Sequence, residues 1–219
     1  MKLIIGAMDD ELNLLINHLE QKEKLNTITT SYKGILENQE VVISITGVGK
    51  VNAASSLAEL LTKYQFQEII NIGLAGASNH FTIGEMVEVN SAIQYDFDIN
   101  YFGYQKGEIP KYPNPFKPYK IKTNLKQTLL LTQDRFETTK LSLDKPYLVD
   151  MEGAALFQVA HKFNVNLVSF KYVSDIVGSK GQTDDYQKSE KIDGRKVIYD
   201  FLISYLKGWL YERINDYWQ

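Results

Sequence analysis

The stretch LVDMEGAALFQVAHKFN, residues 148–164, is followed one residue later by the apolar run NLVSFKYVSD, residues 166–175. Projected at about 100° per residue, the first stretch places its apolar side chains on one face, which predicts an amphipathic helix. The second stretch is apolar over most of its length, which predicts a buried strand. A helix leading directly into a buried strand favours an α/β fold. The apolar face consists of Ala155, Leu156, Val159, Ala160 and Phe163.

Glu152 lies at the start of this helix, on the side of its apolar face. An acid that only complements the helix dipole should point to water, as Asp150 could. The spacing therefore favours a Glu152 carboxylate that faces a ligand. A helix cap is the alternative, and one residue does not decide between the two.

Strands and helices alternate along most of the chain. The predicted strands include LIIGAM at 3–8, EIINIGLAGA at 68–77 and TLLLTQDRF at 128–136, and a β-rich pair, TITTSYKG and EVVISITG, follows the first helix. This alternation predicts a three-layer α/β fold, with a mainly parallel sheet between two layers of helices. The predicted helices are DDELNLLINHL, VNAASSLAELLTKY, the helix after Glu152 and a long helix at about 189–213.

Residues 1–219 contain no internal repeat or linker, so we expect one domain with a tail of unknown role from about residue 209. The segment EMVEVNSAIQYDFD is expected to be extended. Residues 99–121 form a loop rich in Tyr, Pro and Lys that is too long to be a simple connection.

The composition excludes several classes of protein. A net charge of −3 gives no electrostatic footprint for a nucleic acid or an anionic membrane. The chain has no cysteine, which excludes disulfides, a thiolate zinc site and a cysteine nucleophile. No apolar run approaches about 18 residues, and the opening MKLIIGAMDDE is too short in apolar residues for a signal peptide. We therefore expect a cytoplasmic protein with no nucleic-acid or membrane partner.

Three acids fall where strands end or helices begin, and ligands of such sheets bind off the carboxyl ends of the strands. Glu11 follows the strand at 3–8, Glu152 begins a helix, and Asp175 ends an apolar strand with Ser174 beside it. Each has an ordinary structural alternative. Glu11 would stabilise a helix dipole, and Asp175 would form an Asx-turn with the following loop.

Two glycine segments, GVGK at 47–50 and GLAGA at 73–77, allow backbone N–H groups to approach a ligand or simply allow close packing. GVGK lacks the spacing of a P-loop and the third glycine of a dinucleotide fingerprint, so ATP and NAD are weakly supported. The histidines His18, His80 and His161 have no metal-ligand spacing, and there is no G-x-S-x-G motif. We expect no metal and no cofactor.

Taken together, the motifs resemble the 5′-methylthioadenosine/S-adenosylhomocysteine nucleosidases of the nucleoside phosphorylase superfamily. The resemblance implies a nucleoside phosphorylase-like fold, a twisted, mixed and mostly parallel sheet flanked by helices, working as a homodimer on a small purine nucleoside. It covers most of residues 1–178 and runs through IIGAMDDELNLL, TGVGKVNAA, IINIGLAGA, DFDINYFGYQKGEIP, QDRF, VDMEGAALFQVAHKFNV and VSD.

The resemblance also implies roles for single residues. Glu11 matches the acid that activates the attacking water, and Asp175 matches the acid that protonates nitrogen 7 of the purine, with Ser174 orienting it. Glu152 matches the carboxylate that binds the ribose hydroxyls, with Met151 against the sugar. Phe136 matches the aromatic residue that stacks on the base, whose edge the backbone at Glu137 recognises. Val48, Phe102, Tyr104 and Pro110 match residues around the 5′ substituent, and the Phe102 segment would reach into the partner subunit's site. The remaining implied contacts are Ala7, Met8, Leu74, Ala75, Gly76 and Asp150.

Some positions depart from the family pattern. Asn71 and Leu74 stand where the phosphorylases hold phosphate with an Arg and a Ser, so water is the expected nucleophile. The nucleosidases usually carry Ser at Leu74 and Arg at Lys171, and lysine lacks the planar fork of arginine. Segment 137–147 is shorter than the family's loop beside the purine, and Gly178 replaces an aspartate.

The first hypothesis for function is therefore an N-glycosidase that hydrolyses 5′-thio-substituted adenosines to adenine and the thioribose product. A nucleosidase for another 5′ substituent, such as an aminofutalosine or futalosine hydrolase, is the nearest alternative. A phosphorylase comes next. A nucleoside-binding protein that has lost turnover is an alternative of a different class, with Leu74 and Lys171 as the altered positions.

Overall fold

The computed structural model describes residues 1–119 and 123–208, which form one nine-stranded mixed sheet with five α-helices. The predicted tail from residue 209, the end of the long helix predicted to reach residue 213 and the last residues of the 99–121 loop lie outside the described residues. The strands are β1 Lys2–Gly6, β2 Glu20–Lys24, β3 Thr30–Leu36, β4 Gln39–Ile45, β5 Glu68–Ala77, β6 Met86–Gln94, β7 Lys126–Thr132, β8 Tyr147–Asp150 and β9 Leu167–Ile176. The helices are α1 Asp9–Asn17, α2 Lys50–Lys63, α3 Gly153–Phe163, α4 Gln182–Lys188 and α5 Gly194–Leu206.

The strand order is β2-β3-β4-β1-β5-β8-β7-β6-β9, and β9 also pairs with β5. Strands β5, β8, β7, β6 and β9 therefore close on themselves. Strand β1 is parallel to β4 and β5, β9 is parallel to β5, and β7 is parallel to β6 and β8. The other pairings are antiparallel. The predicted mixed sheet flanked by helices is confirmed.

Both faces of the sheet are covered, which explains why β1 and β5 are apolar without alternation. In β1, Leu3 and Ile5 join a core cluster that contains Leu57 of α2 and Leu156 of α3. Ile4 points to the opposite face and joins a second cluster. That cluster includes Leu12 and Leu15 of α1 and Ile198 and Leu202 of α5. Among the described residues, no helix is long and apolar enough to cross a membrane.

The structure corrects three expectations and adds one strand that the sequence did not predict. Strand β2, EQKEK, is exposed along its whole length and has no apolar pattern from which it could be predicted. The helical region predicted from residue 189 begins at Gln182 and runs as α4, a π-helical turn Ser189–Asp193 and α5. Phe163, at the end of α3, is 41% exposed and so leaves the apolar face. Asp150 ends β8 and is buried, not turned to water.

Candidate active site

A cavity opens at the carboxyl ends of β1, β5, β8 and β9, where an α/β sheet places its ligands. It brings together residues that are far apart in the chain. Of the predicted site residues, it is lined by Ala7, Met8, Glu11, Val48, Leu74, Ala75, Gly76, Phe136, Glu137, Asp150, Met151, Glu152, Ser174 and Asp175.

Glu11 lies in the first turn of α1 with its buried carboxylate at the cavity wall. Its Oε2 accepts hydrogen bonds from the backbone N–H groups of Ala7 and Met8, at 2.9 and 3.0 Å. Its Oε1 accepts one from the N–H of Leu74 at 2.8 Å. A Cβ at Gly73 would lie 2.6 Å from Oε1, so this glycine permits the close approach of β5. The carboxylate thus caps its own helix and still faces the cavity.

The pKa of Glu11 is raised, because burial disfavours the charged form more strongly than its backbone donors and Lys171 favour it. A buried carboxylate with a raised pKa is a better base than a solvated one, and such groups concentrate in active sites. The capping role of Glu11 is therefore compatible with a chemical role in the cavity.

Asp150 and Lys171 form a buried ion pair behind the cavity. Lys171 Nζ lies 2.9 Å from Asp150 Oδ2, and the two side chains are 3% and 1% exposed. Thr132 Oγ1 donates to Asp150 Oδ1 at 2.5 Å, and the N–H of Gly153 donates to Oδ2 at 2.8 Å. Burial alone would lower the pKa of Lys171, but the carboxylates around it, Asp150 first, outweigh burial and raise it. Lysine therefore stays charged beside the cavity.

Glu152 precedes α3, but its side chain makes no hydrogen bond to that helix. Its Oε1 instead accepts a hydrogen bond from the N–H of Gly49, at the start of α2, at 2.8 Å. Burial raises its pKa to about 7, the Asp150 carboxylate adds to this, and Lys171 opposes it. A simple side-chain cap is thereby excluded, and the carboxylate faces the cavity.

Asp175 is the last fully buried residue of β9, just before the half-buried Ile176 that ends the strand. Ser174 Oγ donates to Oδ1 at 2.5 Å, and Gln182 Nε2 donates to Oδ2 at 2.7 Å. Burial raises the pKa of Asp175 even though both donors lower it. A carboxyl with a raised pKa keeps its proton to a higher pH than a solvated one, which suits it to act as a general acid.

Two aromatic side chains, Phe136 and Tyr186, also line the cavity. Phe136 packs edge-to-face against Tyr186 of α4, with ring centroids 5.3 Å apart. The Tyr186 hydroxyl donates to Glu190 Oε1 at 3.2 Å, and burial raises its pKa. The phenol therefore stays neutral, and its ring and that of Phe136 form an aromatic part of the cavity lining.

Three predicted residues do not line this cavity. Phe102 ends a short 3-10 turn, Asn100–Phe102, and Tyr104 follows it; both side chains are exposed. Pro110 lies further along the same loop. Phe102 is 72% exposed. Within one chain, the rim loop of residues 99–110 therefore makes no contribution to the cavity lining. Among the described residues, His, Asp and Glu side chains form no cluster of three or more suited to a metal ion.

Comparisons with known proteins identify the family of this chain. The phosphorylase superfamily model matches residues 2–198. The 5′-methylthioadenosine/S-adenosylhomocysteine nucleosidase of Bacillus cytotoxicus is 32% identical over 199 residues, which cover 81% of this chain and 86% of that protein. The chain belongs to this nucleosidase family.

Solved structures of family members have the same fold. The S-adenosylhomocysteine nucleosidase of Streptococcus pyogenes, in complex with 5-methylthiotubericidin, aligns with a TM-score of 0.85 at 27% identity and covers 95% of this chain and 97% of its own. The nucleosidase of Streptococcus pneumoniae, with the transition-state inhibitor MT-ImmA, aligns with a TM-score of 0.84 at 28% identity, covering 94% and 99%. The resemblance inferred from the sequence motifs is confirmed.

In this member of the nucleosidase family, the cavity also contains residues that the sequence did not indicate. Arg135, Val149 and Tyr186 line it. Gln182 supports it from behind. Arg135 and Val149 are adjacent to predicted residues and belong to the motifs QDRF and VDMEG, so the sequence could have indicated them. Tyr186 and Gln182 lie in GQTDDY, a polar glycine-bounded segment whose composition indicates a loop, so no sequence signal marked them.

Proposed function

We propose that this protein hydrolyses the N-glycosidic bond of 5′-methylthioadenosine and S-adenosylhomocysteine, releasing adenine and the corresponding thioribose. The observation that supports this best is the convergence of Glu11, Glu152 and Asp175 on one cavity, each held by defined donors. The relatives named for these two nucleosides match most of the chain. Under this proposal the chain is an N-glycosidase.

Asp175 takes the role of general acid. Adenine is too basic to leave as an anion, so the proton on the Asp175 carboxyl passes to nitrogen 7 while the glycosidic electron pair moves into the base. Positioned acid catalysis of this kind typically contributes about 10²–10⁴-fold. Ser174 and Gln182 then donate to the carboxylate that forms, so the charge developing on the acid meets donors already in place.

Glu152 and Glu11 act on the sugar. Departure of the base gives the ribose oxocarbenium character, and a carboxylate nearby stabilises that positive charge. Glu152, at the start of α3, would accept hydrogen bonds from the ribose hydroxyls. Glu11 would accept a proton from the water whose oxygen bonds to the anomeric carbon. The proton taken by Glu11 balances the one given by Asp175.

Water is favoured over phosphate by the charge of the cavity. Its lining includes the acids Glu11, Asp150 and Glu152, and phosphate needs paired cationic donors. The nearby cations are already engaged, because Lys171 pairs with Asp150 and Arg135 pairs with Glu137. Leu74 presents an apolar side chain at the position that holds a hydroxyl in the phosphorylases. These features support hydrolysis.

We further infer a homodimer in which the rim loop completes the 5′ end of the partner's cavity. Tyr101, Phe102 and Tyr104 are exposed on this loop, and Val48 and Val51 are exposed at the start of α2. This exposure supports the inference, because large contiguous apolar patches on a monomer surface are typical of interaction sites. The cytoplasmic location expected from the sequence stays a prediction, which cell fractionation would test.

The deciding experiment is incubation of the purified protein with each nucleoside, with and without inorganic phosphate, followed by chromatography of base and sugar. Free adenine and free thioribose without phosphate are expected. A sugar phosphate formed only with phosphate would replace hydrolysis by phosphorolysis. If neither nucleoside gives product while both bind, the chain is a binding protein on this fold.

A further inference from the structure

Gln182, the first residue of α4, lies behind the carboxyl of Asp175 and is only 5% exposed. Its Nε2 donates to Asp175 Oδ2 at 2.7 Å and to the carbonyl oxygen of Glu137 at 2.8 Å. Its Oε1 accepts the N–H of Gly178 at 2.8 Å. Both amide hydrogens and the amide oxygen are therefore used.

These partners fix the orientation of the amide. The N–H of Gly178 can only donate, so the oxygen of Gln182 must face it. The carbonyl of Glu137 can only accept, so the nitrogen must face that group. Rotating the amide by half a turn would place its NH2 group against the N–H of Gly178, donor against donor. It would also place its oxygen against the carbonyl of Glu137, acceptor against acceptor. The group that meets Asp175 is consequently a donor, and it cannot accept a proton from the acid.

We infer that Gln182 is a positioning residue for the general acid, directing the proton of Asp175 into the cavity and stabilising the carboxylate left after proton transfer. This inference rests on the proposed function, since it assigns Asp175 the role of proton donor. The donor from Gln182 occupies one side of Oδ2 and Ser174 Oγ occupies Oδ1. Because Gln182 offers Asp175 only a donor, a proton on Asp175 cannot hydrogen-bond to Gln182. It can therefore point into the cavity, towards the purine.

Gln182 also ties the acid to the wall that faces the base. Its bond to the carbonyl of Glu137 fixes the residue that follows Phe136, the proposed stacking partner of the base. Its bond to Gly178 holds a left-handed turn, with φ of 77°, against the backbone of Lys140. One side chain therefore couples the proton donor on β9 to the base-recognition segment, at the place where segment 137–147 is shorter than in the family.

The test variants keep the length of the side chain, because Gln182 also lines a second, solvent-open depression beside Gly178 and Gly181. Truncation would bring solvent towards Asp175. Gln182→Met keeps the size but removes all three hydrogen bonds. Gln182→Glu replaces the donor by a group that can take the proton. The matched control is Gln133→Met, since buried Gln133 donates to the Glu137 carboxylate and makes no bond to Asp175.

The measurement is the pH dependence of kcat and kcat/KM for adenine release, together with thermal unfolding. Hydrogen bonds to charged groups predict a loss in kcat of roughly 10–100-fold for Gln182→Met. The basic limb of the profile should move up by about 1–2 pH units, because the carboxylate loses a donor and the acid becomes weaker. Gln182→Glu should lose more than Gln182→Met. Asp185 and Tyr186 on α4 interact electrostatically with Asp175, and Glu11 on α1 lines the same cavity. These three groups are the same in every variant.

An infrared titration of the carboxylic C=O band reports the protonation of Asp175 without any turnover, with Asp175→Asn identifying the band. The band should persist to higher pH in Gln182→Met and titrate as in the wild type in Gln133→Met. An active wild type whose Gln182→Met variant keeps both the pH profile and the titration would overturn the inference alone. An inactive wild type whose band still shifts would overturn the proposed catalysis while leaving the coupling of Gln182 to Asp175 in place.

Discussion

The floor of the cavity and its rim are built in opposite ways. The floor is formed by the carboxyl groups of Glu11, Asp150, Glu152 and Asp175, whose oxygen atoms accept hydrogen bonds from neighbouring backbone and side-chain donors. The Lys171 ammonium is buried behind them and pairs with Asp150. The rim loop, residues 99–110, presents aromatic side chains to solvent. All groups of the floor come from one chain. In contrast, no residue of the rim loop lines the cavity of its own chain, although the loop is proposed to complete the cavity of a partner.

Under the proposed function, this contrast separates the groups that perform the chemistry from the surface that selects the substrate. Buried acids have pKa values that depend on a fixed set of neighbours, so their chemistry requires rigid elements. A loop that closes a binding site between two copies need only offer apolar area. Mutations in the floor should therefore change kcat, pH dependence or stability, and mutations in the rim loop should change KM and association.

The largest expected effect is at the floor. Asp175→Asn keeps the shape of the side chain but has no acid proton, so adenine release should fall by about 10²–10⁴-fold. Nucleoside affinity should change little, because an asparagine amide can still donate a hydrogen bond to nitrogen 7 of the base. Isothermal titration and steady-state kinetics on the same preparation check both. Near wild-type turnover would remove Asp175 as the proton donor.

Lys171→Met should have the next largest effect, this time on stability. It leaves the buried Asp150 carboxylate without its cation, and breaking such a pair typically costs about 3–5 kcal/mol. Urea unfolding measures the change. Lys196→Met is the control, because Lys196 pairs with Asp200 on the surface of α5, where the expected cost is about 0–1 kcal/mol. Equal costs for the two variants would show that the Asp150 pair is not as important as its burial indicates.

Much of the floor was predictable from sequence because its acids follow strands and begin helices. Glu11 and Asp175 come directly after apolar runs, so the sheet brings them to one edge. Lys171 was harder to interpret, since a lysine within an apolar strand indicates an exposed face unless its partner is known. That partner, Asp150, is separated from it by a whole helix. Gln182 was missed for a different reason. Its hydrogen bonds depend on a turn at Gly178, and the periodicity of apolar residues does not predict such a turn.

The rim could be predicted only by resemblance. Phe102 and Tyr104 belong to a loop whose composition indicates neither a strand nor a helix, and no contact within the described chain fixes them to the cavity. Local patterns report burial against the same chain. They carry no information on a surface that a second copy would cover.

The pKa of Glu152 predicts a smaller effect that depends on pH. Its folded-state pKa of about 7 lies above the ordinary value of 4.5, so between these values the folded state binds more protons than the unfolded state. This contribution to stability is fully present below about pH 4.5 and is lost as pH rises through about 7. Its size is roughly 2–4 kcal/mol.

Glu152→Gln removes that titration. The variant should lose less stability than the wild type between pH 5 and 8 in urea unfolding, while nucleosides with ribose hydroxyls bind less tightly to it. Glu11 and Asp175, whose pKa values are also raised by burial, remain and keep part of the slope. If the free energy of unfolding depends on pH in the same way in the variant and the wild type, the pKa of Glu152 is the same in the folded and the unfolded protein.

The smallest expected effect is at the rim loop. Phe102→Ala removes a side chain that is mostly exposed in one chain, so thermal unfolding at low protein concentration should change by less than about 0.5 kcal/mol. If the loop completes the partner's cavity, the same change should raise KM for 5′-methylthioadenosine by roughly tenfold, about 1.4 kcal/mol, and should weaken the dimer in analytical ultracentrifugation. Phe163→Ala, at the end of α3, is the matched control with a half-exposed aromatic outside the loop. An unchanged KM together with a monomeric wild type would place the whole active site in one chain, and the difference between floor and rim would then reflect only the exposure of a surface loop.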